Sequence, residues 1–129
     1  MKQKEILLVE DNPDVREAVG ALLEAMGHTV VDACDGEDAL RLFEKREHDF
    51  DLLVTDVIMP RMGGQEIASR ILERRPGMKV LYMSGYPDNA LVQDGILTDG
   101  INFLQKPFSA ALLRKKVREL VGQPARLPS

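Results

Sequence analysis

From Asp51 the chain runs through Leu52, Leu53 and Val54 to a lone carboxylate, Asp56, and breaks at Pro60. A short apolar run bounded by turn residues suits a strand buried on both faces, as in a parallel sheet. Pro60 and the pair Gly63 and Gly64 then keep the chain in a loop before the next helix. In open α/β sheets, ligands bind beyond the carboxyl ends of the strands, where Asp56 falls. A carboxylate in that place can serve as nucleophile, metal ligand or both, depending on what converges on it.

The rest of the chain repeats the same unit. Glu5 to Val9 is an apolar run that closes on Glu10 and Asp11. Asn12 and Pro13 follow, a capping residue and a proline suited to the first helical position. Val15, Val19, Leu22, Leu23 and Met26 then share one helical face, and Gly27 ends that helix. Thr29 to Val31 is a short β-rich segment. Asp35 and Gly36 lead into a helix of Ala39, Leu40 and Phe43 that closes near 45–47. After the central strand, a helix carries Ile67, Ala68, Ile71 and Leu72, stopped by Arg74, Arg75, Pro76 and Gly77. Lys79 to Met83 is a fourth strand, ending at Ser84 and Gly85. Residues 87–100 hold a short, weakly specified helix. Ile101 to Leu104 is a fifth strand, ending at Lys106 and Pro107. Ser109 caps a last helix with Leu112, Leu113, Val117, Leu120 and Val121 inside and Arg114, Lys115, Lys116 and Arg118 largely outside.

Strands alternating with helices on short connections imply a doubly wound α/β fold. With right-handed crossovers, a flavodoxin-like parallel five-stranded sheet in the order 2-1-3-4-5 is expected. That order collects Glu10, Asp11, Asp56, Ser84 and Lys106 at one sheet edge. Three carboxylates there repel and raise one another's pKa. A hard divalent cation resolves the conflict, and Mg²⁺ favours one or two carboxylates with waters and phosphate oxygens. A hydroxyl and an ammonium on the far strands suit phosphoryl oxygens. The pattern points to Mg²⁺-dependent phosphoryl transfer onto Asp56.

At 129 residues the chain fits one domain, with residues 1–122 folded and 123–129 a tail or trimmed linker. A net charge of −4 argues against direct nucleic-acid binding. No long apolar run marks a signal peptide or membrane span, and the single cysteine suits a reducing cytoplasm.

In these residues the chain resembles the response-regulator receiver domains of two-component signalling. The likeness rests on Glu10-Asp11, on Asp56 to Pro60 with Gly64, on Ser84, and on Lys106-Pro107-Phe108, and it spans roughly residues 5–121. The segments Leu81 to Tyr86 and Leu104 to Phe108 look most like the receivers of hybrid histidine kinases. The resemblance implies that Asp56 accepts a phosphoryl group from the phosphohistidine of a histidine kinase or histidine phosphotransfer protein. It further implies Mg²⁺ on Asp11, Asp56 and the backbone carbonyl of Ile58, with Glu10 acting through water. Ser84 and Lys106 would hold the phosphoryl oxygens, Ser84 and Phe103 would switch, and the Lys106–Pro107 bond would be cis. The phosphorylated chain would change its helix 4, strand 5 and helix 5 face and could form a homodimer. It would be no turnover enzyme, only a self-catalysed acceptor that slowly loses its phosphoryl group.

Two positions depart from the family's commonest pattern: Ser84 stands where threonine is frequent, and Phe103 where tyrosine is. Ile58 and Tyr86, two residues beyond Asp56 and Ser84, are bulky and are expected to slow hydrolysis of the phosphoaspartate. Taken singly, each site residue reads as a turn or surface group, and Phe103 as core. His28 and His48 fall in turns and are expected in solvent, neither a phosphoryl donor. Cys34 is expected to be buried. The basic stripe on the last helix reads as a solvated face. Three other functions compete. An aspartyl-nucleophile Mg²⁺ phosphatase needs a second aspartate where Ile58 stands. A flavodoxin needs a phosphate-cradling loop where Glu10 and Asp11 would repel the ligand. A phosphorylation-independent interaction module needs neither metal nor acceptor.

Overall fold

The computed structural model describes residues 4–46, 50–95 and 101–122. Its elements are β1 (Glu5–Val9), α1 (Pro13–Ala25), β2 (Thr29–Ala33), α2 (Gly36–Arg46) and β3 (Leu52–Asp56), then α3 (Gly64–Arg74), β4 (Lys79–Ser84), α4 (Asp88–Gln93), β5 (Phe103–Gln105) and α5 (Ala110–Val121). All strand pairs are parallel and the order is β2-β1-β3-β4-β5, the flavodoxin-like order expected from the sequence.

Burial explains which runs became central strands. Ile6 to Val9 and Leu52 to Val54 are fully buried, because helices cover both faces of the sheet. On one face Leu7, Val9 and Leu53 meet Phe43 of α2, Ile67 and Ile71 of α3 and Leu91 of α4. On the other Ile6, Leu8 and Leu52 meet Val19 and Leu23 of α1 and Leu113 and Val117 of α5. Each such aliphatic side chain contributes about 1.5–3 kcal/mol by leaving water. β2 is an edge strand with mostly half-exposed residues, and it runs on to Ala33, two residues past the β-rich segment.

Local signals set most boundaries. Asn12 caps α1 through its side-chain oxygen, which accepts from the amides of Asp14 and Val15 at 2.9 and 3.2 Å. Gly27 follows α1 with a φ of 97°, a left-handed conformation that glycine adopts without steric cost. Ser109 caps α5 by accepting from the Leu112 amide at 3.0 Å.

Four expectations are corrected. β5 begins at Phe103, since Ile101 and Asn102 only approach the sheet, Asn102 through its carbonyl to the Tyr82 amide at 2.9 Å. Leu112 is 39% exposed, because the α5 face that meets the sheet is centred on Leu113 and Val117. Cys34 is exposed: β2 has ended at Ala33, and the thiol sits in the following turn, 3.8 Å from Asp38 Oδ2. His28 is buried, with neither ring nitrogen hydrogen-bonded among the described residues. It lies between the end of α1 and the start of β2, its amide bonded to the Leu23 carbonyl at 3.3 Å, and burial holds the imidazole below its usual pKa. His48, the tail at 123–129 and the end of the segment 87–100 lie outside the described residues. Within the described part of that segment, α4 covers Asp88–Gln93.

Gly64 ties this frame to the sheet edge. A Cβ there would overlap the carbonyl oxygen of Asp56, whereas one at Gly77 would meet open space. Gly64→Ala is therefore expected to lose at least ~2 kcal/mol in urea denaturation. Gly77→Ala should stay within about 0.5 kcal/mol of wild type.

Candidate functional site

β1, β3, β4 and β5 end together, so the expected residues meet although they lie far apart in sequence. Asp56 is the last residue of β3 and pairs in register with Met83, one residue before Ser84. Ser84 in turn pairs with Gln105, one residue before Lys106. The carboxylates of Glu10, Asp11 and Asp56 each offer an oxygen within 4.8 Å of the others, an arrangement able to hold a metal ion. Among the described residues no other group of three such ligands does so.

Lysine makes this crowding tolerable. Lys106 Nζ donates to Glu10 Oε1 at 2.6 Å and lies 3.5 Å from Asp56 Oδ1. Glu10 is 1% exposed, and its other carboxylate oxygen accepts from the Asn12 amide at 3.1 Å. A carboxylate this buried would be costly without such partners. Asp11, the next residue, is exposed.

Asp56 is the strained member. Burial, then the Glu10 carboxylate, push it up from 3.8 to about 6; Lys106 and the Val57 amide pull the other way, and Asp11 adds to the rise. That amide bonds both the Asp56 carboxylate at 3.1 Å and the Met83 carbonyl at 2.9 Å, so it fixes where β3 stops. The following loop is pinned by the Gly64 amide, which donates to the Val57 carbonyl at 2.8 Å. Arg61 in this loop, with a φ of 69°, reaches Asp35 at 3.1 Å.

Ser84 is buried, and its hydroxyl accepts from the Tyr86 amide at 3.1 Å. Its carbonyl accepts from the Lys106 amide at 2.8 Å, which joins the β4 and β5 ends. The Lys106–Pro107 peptide is cis, as the resemblance implied. Phe103 is half-buried against the core on the α2–α3–α4 side. Ile58 and Tyr86 stand outward, 45% and 59% exposed. Beside Lys106, a groove of about 540 Å³ runs between α1 and the loop that leads from β5 to α5, lined by Val15, Ala18, Leu22, Pro107 and Phe108.

Residues 6–118 match the response regulator receiver domain family. The chain belongs to that family. Among its relatives, the response regulator receiver protein CpdR of Brucella abortus (strain 2308) is 36% identical over 117 residues, covering 91% of this chain and 93% of CpdR. The sensor kinase CckA of the same organism is 34% identical over 116 residues, 90% of this chain but only 12% of the kinase. The solved receiver domain from the hybrid histidine kinase CckA superposes with a TM-score of 0.77 at 33% identity, covering 91% of this chain and 98% of that one. The receiver is thus a phosphoacceptor module of two-component signalling with an acidic cluster at its sheet edge.

Arg16 was not singled out from the sequence. Its Nη1 donates to the Glu10 carbonyl at 2.8 Å, and its Nε lies 3.6 Å from Asp32. A signal did exist: a cation at the fourth position of α1 lies near the positive end of the helix dipole, which disfavours it without an acceptor.

The pKa of Asp56 gives a signed test. Because the folded receiver binds the proton more tightly than the unfolded chain, this group's contribution is whole below about pH 4 and is lost as pH rises through about 6. In chelator, Asp56→Asn should remove that decline and be more stable than wild type at pH 7 by up to ~3 kcal/mol. Urea denaturation from pH 4 to 7.5 reads the difference.

Proposed function

We propose that Asp56 is the phosphoacceptor and that the donor is the phosphohistidine of a histidine kinase or phosphotransfer protein. The observation that carries this reading is the ammonium of Lys106, 3.5 Å from Asp56 at the mouth of a three-carboxylate cluster. In the reaction an Asp56 oxygen attacks phosphorus, the P–N bond breaks, and the imidazole leaves with the electron pair and takes up a proton. At neutral pH Asp56 is mostly ionised, as a nucleophile must be, despite its raised pKa.

Asp11 and Asp56, with the Ile58 carbonyl, are the ligands we assign to Mg²⁺. The hard oxygen donors suit that ion, and exposed Asp11 leaves room for its waters. When bound, the ion neutralises carboxylates and phosphoryl oxygens that would otherwise repel. Glu10 is engaged by Lys106 and the Asn12 amide, which suits a role through water rather than direct ligation. Lys106 and the Ser84 hydroxyl donate to the phosphoryl oxygens. Both then move toward Asp56, Lys106 away from Glu10 and Ser84 away from the Tyr86 amide. Phe103 and the face of α4, β5 and α5 follow.

The groove beside Pro107 and Phe108 borders Lys106, so a donor domain seated there brings its imidazole to the same sheet edge. Ile58 and Tyr86, both exposed and each two residues past Asp56 and Ser84, are the side chains we assign to shielding the phosphoaspartate from attacking water, which lengthens its life. The chain turns over no substrate beyond its own phosphoryl group.

Intact mass after treatment with acetyl phosphate tests the chemistry. One phosphoryl group should be gained with Mg²⁺, none in chelator and none in Asp56→Asn. No gain from acetyl phosphate or from a phosphorylated histidine kinase would leave the phosphorylation-independent interaction module as the reading. Turnover of free phosphate esters would favour the phosphatase. Ile58→Asn with Tyr86→Ala should lose the phosphoryl group about tenfold faster, a change of about 1.4 kcal/mol in barrier; slower loss would refute the shielding role. Ala18→Glu should impair transfer from a kinase while leaving acetyl phosphate labelling unchanged.

A further inference from the structure

Glu10 has every polar group engaged. Its amide donates to the Ala33 carbonyl at 3.2 Å, which extends the ladder between β1 and β2 by one residue. Its two carboxylate oxygens accept from Lys106 and the Asn12 amide. Its carbonyl faces the same side, beyond the last paired residues of β1 and β2, Val9 and Ala33, so the ladder among the described residues gives it no strand partner. Arg16 supplies the missing donor at 2.8 Å.

That bond joins the one peptide that leads from buried Glu10 into exposed Asp11. The peptide plane fixes where the Asp11 side chain departs, and therefore whether it faces Asp56. The guanidinium is itself oriented by two anchors, the Glu10 carbonyl and Asp32 Oδ2 at 3.6 Å on the edge strand, and its side chain is only 22% exposed. A planar fork can serve two acceptors in fixed directions, which a single ammonium cannot.

We infer that Arg16 is a positioning residue, which sets the Glu10–Asp11 peptide so that Asp11 meets Asp56 and thereby sets the affinity of the acidic centre for a divalent cation. The inference rests on the reading of Asp11 and Asp56 as cation ligands. It has a sign that separates it from simple electrostatics. Arg16 is a cation near a cation site, so by charge alone its removal tightens binding. By position its removal loosens it, because supporting partners of metal ligands are typically worth about 10- to 100-fold in affinity.

The experiment is calorimetric titration of the full chain with MgCl₂ at pH 7.5, in wild type, Arg16→Met and Arg16→Lys. Amide NMR spectra of the metal-free proteins accompany it. Arg16→Met is expected to bind Mg²⁺ about tenfold more weakly and to shift the metal-free amide signals of Glu10 and Asp11. Arg16→Lys keeps the charge and one donor and should fall between the two. Labelling by acetyl phosphate should return toward the wild-type rate when Mg²⁺ is raised to saturation. A folded Arg16→Met that binds Mg²⁺ as tightly as wild type, or more tightly, overturns the inference. If Arg16→Met does not fold, Arg16→Lys carries the test, and wild-type affinity in that variant overturns it. Wild type that binds no Mg²⁺ overturns the cation reading of the site, a failure distinguishable from that of Arg16.

Discussion

Three carboxylates within 4.8 Å of one another repel, and the fold has to hold them there. A parallel sheet does this because its strands all end on the same side, and the helices that follow carry the chain away before the charges can separate. Leu52 to Val54 and Ile6 to Val9 fix the strands by burial, so the charges at their ends inherit the position of a rigid core. Lys106 completes the arrangement with a contact to Glu10 and a second approach to Asp56. Asp56 carries what remains: burial first, and then the Glu10 carboxylate, hold its pKa above the usual carboxylate range.

Much of this was legible in the sequence, because each determinant is local. The apolar runs, the Asn12 and Ser109 caps and the Gly27 terminus are read over a few residues, and the alternation of strand and helix leaves few topologies. Once the order 2-1-3-4-5 is chosen, geometry delivers Glu10, Asp11, Asp56, Ser84 and Lys106 to one edge. The pairings within that edge were less legible. Nothing local says that Lys106 should bond Glu10 more closely than Asp56, or that Arg16 should find the carbonyl that β1 leaves without a partner.

The errors share a cause: they concern residues whose surroundings are set by distant elements. His28 sits in what reads as a turn, yet in the folded chain it is out of water. Cys34 has the composition of a core residue, yet the strand that would bury it ends one residue earlier. Leu112 and Leu113 are equivalent by type, and only the angle at which α5 meets the sheet decides that Leu113 is the one buried.

The bond between Lys106 and Glu10 spans 96 positions of the chain. Closing a loop this long costs chain entropy before the contact returns anything. A polypeptide still emerging from the ribosome, with β1 and β3 made but β5 not yet in place, carries the acidic residues without the ammonium that balances them. The charge balance of the acidic edge is therefore tied to completion of the fold: until β5 is in place, Glu10 and Asp56 lack the ammonium that stands beside them in the finished structure.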